Sequence, residues 1–535
     1  MVTFTEKPAD IQQTEKLAEP EDEAGSLSTK TSCDTLPSAH CSTEQLIEHE
    51  IVPSSPDSLY CDKYMREFCV DFTENDPENA QNWSIWYQIY TVIAITYSAW
   101  ATVLYSTCYS SGIPDMMADL NIANETVANL GISLYLLGWS IGSLVLAPLG
   151  ETVGRRPVYI TALLLFIGLI PAAALANSFV VILIVRVLGS IVGGVMVSVA
   201  PGSLVDIVPA SHTALAMSFY SFGTLNGPVT GPIIGGFVTK RWGWRGDGWF
   251  IMIASGVGLV MMSLVRESYP PVILRRRAAK MRKQTRDPRW WSKYDECEIP
   301  LHKRLRTALW RPIKLCVTEP VLWFWNFYIS VIYAILYLCV VAYPIIFQIR
   351  QWSPEMSGLA FLGVFIGNTL AVVCEPLLRR LVNLHPVDIR TGLRAPEASV
   401  LVIIIAAVIA PIGQLVFALT SLPASVPWIV SMFGAVLFGF GNTIIFTYGT
   451  NYVAVSYGIY ASSALVSNSV CRSLLAAGLV EVGQRFYSDL TPRVAGIVLA
   501  GAEFAIIPIP VLFYIWGQKV RLRSKALGKQ SASQE

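Results

Sequence analysis

The stretch GTLNGPVTGPIIGG, residues 223–236, is the part of the sequence that decides the fold. It lies in an apolar segment of residues 214–238, which is longer than the ~20 residues that a helix needs to cross a bilayer. Its two prolines and five glycines would break a helix in water. In a membrane bundle they are tolerated, because neighbouring helices satisfy the freed backbone groups and glycines let backbones approach. The spacing of Gly227, Gly231 and Gly235 predicts a kinked helix with one side-chain-free face, which is typical of a moving transporter element.

The composition of the 535 residues is that of a membrane protein. Apolar residues make up 53% of the chain and charged residues 14%, against ~25% charged in a soluble domain. The net charge of +1 gives no electrostatic reason to expect nucleic-acid binding. The ten cysteines form no CxxC or Cys/His pattern, so we expect no disulfide framework, metal site or cofactor. The sequence after Met1 lacks a basic stretch followed by an apolar core, so we expect no cleavable signal peptide.

Twelve apolar windows follow residues 1–80, whose Glu, Ser, Thr, Pro and Asp content is typical of a disordered tail. The windows are residues 87–109, 127–149, 158–176, 179–201, 214–238, 248–265, 320–347, 356–377, 398–420, 427–450, 459–481 and 494–516. Their six-plus-six arrangement predicts an all-α integral membrane fold with twelve transmembrane helices in two halves. We place one six-helix bundle at residues 81–266, a basic loop at 267–319, the second bundle at 320–517 and a tail at 518–535.

Lys and Arg are concentrated in segments that the positive-inside rule assigns to the cytosol. These basic clusters are Arg155–Arg156, Arg379–Arg380, Arg275–Arg277 with Lys280, Arg282, Lys283 and Arg286, and Lys519, Arg521, Arg523, Lys525 and Lys529. Both termini and the loop at 267–319 are therefore predicted to be cytosolic, although Lys240, Arg241 and Arg245 after span 5 depart from the pattern. The clusters are most simply topology signals, and a specific contact with anionic lipids is the alternative.

Several motifs together resemble those of the major facilitator superfamily. Residues 223–236 resemble the antiporter signature in span 5 of its drug:proton antiporters, carried here by Gly223, Gly227, Pro228, Gly231, Pro232, Gly235 and Gly236. PLGETVGRRP, residues 148–157, is similar to the superfamily's loop motif between spans 2 and 3. The fungal twelve-span branch is suggested by DPENAQNW at 76–83, SLYLLG at 133–138, ESYPPVILRR at 267–276 and YGIYASSA at 457–464. The resemblance covers about residues 76–517 and implies the major facilitator fold.

The loop motif implies a gating role for a small group of charged residues. In the superfamily this loop is understood to pair with nearby acidic residues and to latch one closed state. Arg155 and Arg156 follow Gly154 at the cytosolic end of span 2, where a helix dipole favours cations. Glu151 stands where the family usually has an acid, and Asp206 at the end of span 4 is the expected partner. The alternative is a positive-inside anchor without a gating role.

Two positions depart from the family pattern. The family often has a further basic residue where Thr152 stands, and relatives usually have an aspartate where Val455 stands. A latch in the second half that uses this aspartate is therefore absent, and we expect gating to be stronger in the first half.

Two charges inside apolar spans are candidates for proton coupling. Arg186 lies about a third of the way into span 4, where an arginine costs at least ~2.5 kcal/mol and needs an interior partner. It matches the arginine of the superfamily's span 4 motif, which is implicated in proton coupling; the alternative is a structural arginine that caps interior carbonyls. Glu503 lies near the middle of span 12. In an apolar medium it can stay protonated and carry a proton, or it can be a neutral acid hydrogen-bonded to a nearby helix.

The cargo is expected to contact aromatic and weakly polar side chains. Aromatic rings with a hydrogen-bonding tip suit a fairly hydrophobic organic molecule, although many rings serve packing or interface belts instead. The candidates for the substrate cavity are Asn326, Tyr333 and Tyr337 in span 7 and Asn442 and Tyr448 in span 10. Tyr333 and Tyr337 share a helix face because they are four residues apart.

The motifs favour a transporter over an enzyme. An esterase nucleophile elbow, a phosphate-binding glycine loop and a histidine metal cluster are all missing from the sequence. The resemblance implies a monomeric, multi-pass antiporter that exports a small amphipathic organic compound, such as a drug, toxin or secondary metabolite, in exchange for protons across the lipid bilayer. The plasma membrane is the expected location, and a vacuolar or other internal membrane is the alternative. An uptake carrier or uniporter is the alternative function, because one fold serves both directions.

Overall fold

The structure, a computed structural model, describes residues 68–209, 212–294, 301–385, 395–422 and 425–522. Residues 1–67 of the predicted N-terminal tail and residues 523–535 of the predicted C-terminal tail lie outside this part. Twelve long helical segments dominate the described residues. Spans 1–6 are Ile85–Cys108, Glu125–Thr152, Arg155–Ala174, Phe179–Ser198 with Ala200–Ile207, Thr213–Trp242, and Trp244–Ser263. A 3-10 turn, Tyr109–Gly112, and a short helix, Ile113–Asp119, extend span 1.

The second half repeats the pattern. Spans 7–12 are Pro320–Ile349, Pro354–Leu359 with Leu362–Val373 and Glu375–Asn383, Ala398–Thr420, Trp428–Tyr457, Ala461–Asp489, and Pro492–Ile506 with Pro508–Leu522. Spans 4 and 12 are interrupted next to Pro201 and Pro508, because proline has no backbone N–H to continue the hydrogen-bond ladder. A 3-10 turn, Gly458–Tyr460, joins spans 10 and 11.

Eleven helical segments among the described residues are long and apolar enough to cross a membrane by length and composition alone. The helix that misses this criterion is span 5, which carries the glycine and proline stretch. Span 5 is nevertheless 30 residues long and runs unbroken through Pro228 and Pro232. The twelve helices therefore correspond to the twelve predicted windows.

The two halves pack as separate bundles that meet along a few helices. Within the first half, span 2 packs on span 4 and span 1 on span 5; within the second half, span 9 packs on span 10 and span 7 on span 11. Between the halves, span 2 lies against span 11 and span 5 against span 8. This is the arrangement expected when two six-helix repeats enclose a site at their interface.

The interval at 267–319, predicted from its polarity to be a loop, contains two helices. The first linker helix is Pro270–Thr285, and the second linker helix is Leu301–Thr318. The second linker helix packs against spans 11 and 2, because its apolar residues recur on one side and find a covered surface there. The hydrophilic composition of this interval did not indicate these helices. A helix that buries only one side has a low mean hydropathy, because its other residues are polar.

Order also begins before residue 80, where the sequence predicts a disordered tail. The strand Cys69–Val70 pairs in parallel with Trp291–Ser292, and a 3-10 turn spans Ala80–Asn82. Asp76 is 3% exposed and accepts hydrogen bonds of 2.6 and 3.0 Å from the Arg277 guanidinium on the first linker helix. These bonds hold the pKa of the Asp76 carboxyl below its usual value. The ion pair therefore contributes its full stabilisation at any pH above the usual pKa of an aspartate. This stabilisation is lost as the pH falls through the lowered pKa of Asp76.

Candidate transport site

The glycines of the span 5 signature form a contact surface against span 1. An ideal Cβ added at Gly223 would lie 3.1 Å from the Thr96 carbonyl oxygen, and one at Gly227 would lie 2.6 Å from the Val103 Cβ. The further positions at four-residue spacing, Gly231 and Gly235, face the Cys108 backbone, whose nitrogen and oxygen would lie 2.8 and 2.6 Å from the added Cβ atoms. Gly236 faces away, and a Cβ added there would lie 3.1 Å from the Cα of Glu355 at the start of span 8. The predicted side-chain-free face thus brings span 5 into backbone contact with span 1.

Hydrogen bonds between the halves occur near the middle and at both ends of the bundle. Near the middle, the hydroxyls of Ser106 and Tyr337 lie 3.1 Å apart, and the amides of Asn226 and Asn368 lie 3.0 Å apart. The end contacts join Lys240 with Glu355, Gln484 with Glu125 at 2.8 Å, Ser133 with Glu481 at 3.1 Å, and Ser462 with Glu151 at 2.9 Å. Each bond of this kind contributes about 0.5–1.5 kcal/mol, so the halves are held together by contacts that can be broken singly.

The loop motif brings Arg155 and Asp206 together. The Arg155 Nε lies 3.3 Å from the Asp206 Oδ2, and the arginine is 7% exposed. Arg156 instead donates from Nη2 to the Ser263 carbonyl oxygen at 2.8 Å. Glu151 accepts the cross-half bond from Ser462. The predicted acid–base network is therefore divided, with an ion pair between spans 3 and 4 and a hydrogen bond to span 11.

Glu267, which the sequence analysis does not include among the gating residues, contacts the loop motif. Its two carboxylate oxygens accept hydrogen bonds from the backbone N–H groups of Arg155 at 2.9 Å and Arg156 at 3.3 Å. It thereby satisfies the free donors at the N-terminus of span 3, where the helix dipole favours an anion. Gly154 has a φ of 115°, and an added Cβ would lie 2.6 Å from the Glu267 Oε2, so only glycine fits. The ESYPP motif, which begins at Glu267, is the sequence feature that could have indicated this role.

Arg186 is buried in a cage of carbonyls and tyrosines. It is 1% exposed, and its Nε donates to the Gly131 carbonyl oxygen at 2.8 Å. Its Nη2 donates to the carbonyl oxygens of Tyr105 at 3.1 Å and Ser106 at 3.2 Å. The guanidinium carbon also lies 4.6, 4.2 and 5.2 Å from the ring centroids of Tyr105, Tyr109 and Tyr135. Among the described residues no carboxylate forms an ion pair with Arg186, so carbonyl capping accounts for its burial.

Asp247 lines the same small cavity as Arg186, and sequence reasoning missed it. It is 5% exposed, at the start of span 6, just outside the predicted apolar window. Its Oδ2 accepts a hydrogen bond from the Thr239 hydroxyl at 3.1 Å, whereas its buried Oδ1 has no hydrogen-bond partner among the described residues. The cavity has a volume of about 30 Å³, and a water molecule needs roughly 10–15 Å³. The cavity therefore has room for a water molecule beside both side chains.

Glu503 is buried as predicted, but without the expected hydrogen bond. It is 1% exposed, and neither carboxyl oxygen has a hydrogen-bond partner in the part of the chain that the structure describes. It lines neither the Arg186 cavity nor the central cavity between the halves. The alternative of a neutral acid bonded to a nearby helix thus lacks its bond in this conformation.

The central cavity lies between spans 4 and 5 of the first half and spans 10 and 11 of the second. Its apolar wall includes Val197, Met217, Phe446 and Leu465, and its polar wall includes Tyr220, Thr224, Asn451, Asn468, Ser469 and Arg472. Its volume of about 80 Å³ is well below the ~300–1,000 Å³ of a typical ligand pocket. A drug-sized molecule therefore requires the two halves to move apart.

None of the five predicted substrate residues lines the central cavity in this conformation, and their contact with cargo stays a prediction. Asn326 is engaged by Ser467 and Asn468 of span 11, at 3.0 and 3.1 Å. Tyr337 bonds Ser106, and Tyr333 lies behind the cavity wall, with its ring 6.2 Å from that of Phe446. Asn442 and Tyr448 are buried elsewhere in span 10, with no partner for their side-chain polar atoms among the described residues. Span 7 packs against spans 10 and 11, and Tyr337 also meets span 1 of the first half, so its aromatic residues are buried between helices.

Comparisons with known proteins agree with this architecture. Residues 93–480 match the family model of the Major Facilitator Superfamily. The efflux pump FUBT of Fusarium oxysporum is 34% identical over 467 residues, which cover 85% of this chain and 77% of the relative. The citrinin biosynthesis cluster transporter mrr1 of Monascus ruber is 34% identical, covering 84% of this chain and 90% of the relative. The multidrug transporter mdrA of Aspergillus fumigatus is also 34% identical, with 86% of this chain and 76% of the relative covered.

A solved structure shares the fold at low sequence identity. A structure of the proton:xylose symporter XylE bound to 6-bromo-6-deoxy-D-glucose superposes with a TM-score of 0.57 at 15% identity. The match covers 85% of this chain and 100% of that one. Since twelve helices in two halves, a central cavity between the halves, the family model and the relatives all agree, this chain belongs to the major facilitator superfamily of membrane transporters.

Proposed function

We propose that this transporter exports a small amphipathic organic compound in exchange for protons by alternating access. The observation that carries the proposal is the central cavity, whose apolar and polar walls come from both halves. Rocking the halves about such a site exposes it to one side of the membrane at a time. The relatives named as efflux pumps and a multidrug transporter support export over uptake.

The basic clusters support an orientation with both termini and the two linker helices in the cytosol. In that orientation the Arg155–Asp206 pair lies at the cytosolic end of the bundle and the Lys240–Glu355 pair lies at the outer end. We propose that both pairs act as breakable contacts, one for each side of the alternating-access cycle. A monomer in the plasma membrane is the simplest working form.

Export and its energy source can be tested in one accumulation assay. Cells that express the chain are expected to accumulate less of a labelled amphipathic aromatic compound than cells without it, because the cargo is moved outward. A protonophore is expected to abolish the difference, since it collapses the proton gradient. Reduced accumulation that persists with the protonophore would contradict proton coupling. Raised accumulation in expressing cells would favour the uptake carrier instead.

We propose that Arg186 and Asp247 carry the proton coupling, with Glu503 as the second carboxyl to test. The buried Oδ1 of Asp247 has no hydrogen-bond partner among the described residues, so it offers a position where a proton can bind. Thr239 donates a hydrogen bond to its Oδ2, and Arg186 lines the same cavity. The shared cavity has room for a water molecule beside Asp247, whereas Glu503 lines neither this cavity nor the central cavity.

The substitution Asp247→Asn is expected to abolish gradient-driven transport while leaving cargo exchange intact, because the amide keeps the shape but cannot take a proton. Reconstituted vesicles allow both measurements, exchange being followed without a pH gradient. Glu503→Gln and Asp115→Asn, the latter changing an exposed carboxylate near the same end, are expected to retain both activities. If Glu503→Gln loses gradient dependence and Asp247→Asn keeps it, the two roles are reversed.

A further inference from the structure

Arg472 gives the central cavity a single positive charge. It lies in span 11, is 6% exposed, and lines the cavity together with residues of spans 4, 5 and 10. No other residue in the cavity lining is ionised at neutral pH. A cargo that enters between the halves therefore meets one fixed cation surrounded by hydroxyl, amide and apolar groups.

The guanidinium of Arg472 is only partly satisfied by the protein. Its Nη2 lies 3.4 Å from the Ser469 hydroxyl, and its guanidinium carbon lies 5.0 Å from the ring centroids of both Tyr333 and Phe446. Its buried Nε has no hydrogen-bond acceptor among the described residues. Within that same part of the chain, no carboxylate lies within ion-pair distance of Arg472. A buried charge without a counter-ion is costly, so the site is incomplete without a further acceptor.

The contrast with Arg186 shows that burial alone does not leave an arginine without hydrogen-bond acceptors. Arg186 is equally enclosed, but three backbone carbonyls occupy its donors. Arg472 has a hydroxyl at 3.4 Å and an aromatic wall instead. An arginine fork presents its donors in a plane that matches the two oxygens of a carboxylate. The neighbouring Asn468, Asn451 and Thr224 add polar groups around the same space.

We infer that the central cavity selects cargo that carries a carboxylate, which Arg472 binds, while Tyr220, Met217 and Phe446 contact the apolar body of the molecule. The inference rests on the proposed transport function for the idea that cargo occupies this cavity. It adds the chemical class of that cargo: an amphipathic organic acid. Neutral compounds of the same shape leave the cation uncompensated and bind more weakly.

Equilibrium binding to the purified full-length protein tests this inference. The probes are the tritium-labelled carboxylic acid of naphthalene and its carboxamide, which differ in charge but share a ring and a similar shape. At neutral pH the acid is expected to bind about tenfold or more tightly than the amide, because charge-assisted hydrogen bonds are the stronger kind. Arg472→Gln is expected to remove this difference. Arg493→Gln, which changes an exposed arginine at the start of span 12, is expected to retain it.

Two safeguards keep the test decisive. Arg472→Lys keeps a point charge and is expected to retain part of the preference, should Arg472→Gln fail to fold. The wild-type comparison needs no variant: a protein that binds the amide as tightly as the acid, or binds neutral probes only, overturns the inference. Binding is measured without a gradient. A protein that prefers the acid but moves it inward therefore contradicts the proposed export and leaves the inference standing.

Discussion

Replacing Gly231 by valine is expected to remove most folded, transport-competent protein. An ideal Cβ at this position would lie 2.8 Å from the Cys108 nitrogen and 2.9 Å from the Thr107 carbonyl carbon, both backbone atoms of span 1. The backbone of a packed helix cannot move aside locally, so spans 1 and 5 must separate. Overpacking of this kind costs about 1–3 kcal/mol and sometimes more, and helix association in a membrane depends on such close packing.

The measurement for Gly231→Val is the melting of the solubilised protein, followed by size-exclusion chromatography after heating, together with the accumulation assay. Gly256→Val in span 6 is the matched control, because no neighbouring heavy atom lies within 4 Å of a Cβ added at Gly256. The control is expected to melt and transport like the wild type. Wild-type melting and export in Gly231→Val would show that span 5 tolerates a wider separation from span 1 than the structure indicates.

The substitution Arg186→Ala is expected to lower both stability and transport strongly. Three buried carbonyls, those of Gly131, Tyr105 and Ser106, lose their donors. An unsatisfied buried group costs about 1–3 kcal/mol, and a desolvated cation over aromatic rings contributes about 2 kcal/mol. Spans 1, 2 and 4 converge on this one side chain, so its loss loosens the centre of the first half.

Two further variants separate charge from geometry at Arg186. Arg186→Lys keeps a cation over the tyrosine rings but lacks the planar guanidinium that reaches all three carbonyls. Its melting temperature is therefore expected to lie between those of the wild type and Arg186→Ala. Arg241→Ala changes an exposed arginine at the end of span 5 and is expected to leave melting unchanged. Wild-type melting in Arg186→Ala would mean that the carbonyls find other donors. The cage would then not be what holds these spans together.

The number and order of the spans could be predicted because apolarity is a local property of each helix. The glycine spacing in span 5 likewise predicted a one-sided seam, since residues four apart share a helix face. The two linker helices and the ordered segment at residues 68–83 are not predicted by the sequence, because they do not depend on local apolarity. Their stability depends on partners that are distant in the chain, such as Arg277 for Asp76 and span 11 for the second linker helix.

The site residues show where reasoning from sequence stops. The aromatic residues of span 7 were chosen for their chemistry, yet Tyr337 and Asn326 bond other helices instead of lining the central cavity. Asp247 was overlooked because it lies at the edge of an apolar window. For the span 7 residues, the rotation of the helix against its neighbours decides which groups each side chain contacts, and the local sequence does not encode that rotation.

The sequence by itself determined that this is a twelve-span membrane protein with two similar halves, a glycine seam in span 5 and a basic loop motif after span 2. It also placed Arg186 and Glu503 inside apolar spans. Only the tertiary structure decided that Arg186 is capped by three carbonyls, whereas Arg472 lines the central cavity and its buried Nε has no acceptor among the described residues. The physical reason is that the apolar residues of a helix place its charged side chain inside the membrane. The neighbouring helices then decide whether the donors of that side chain find hydrogen-bond acceptors.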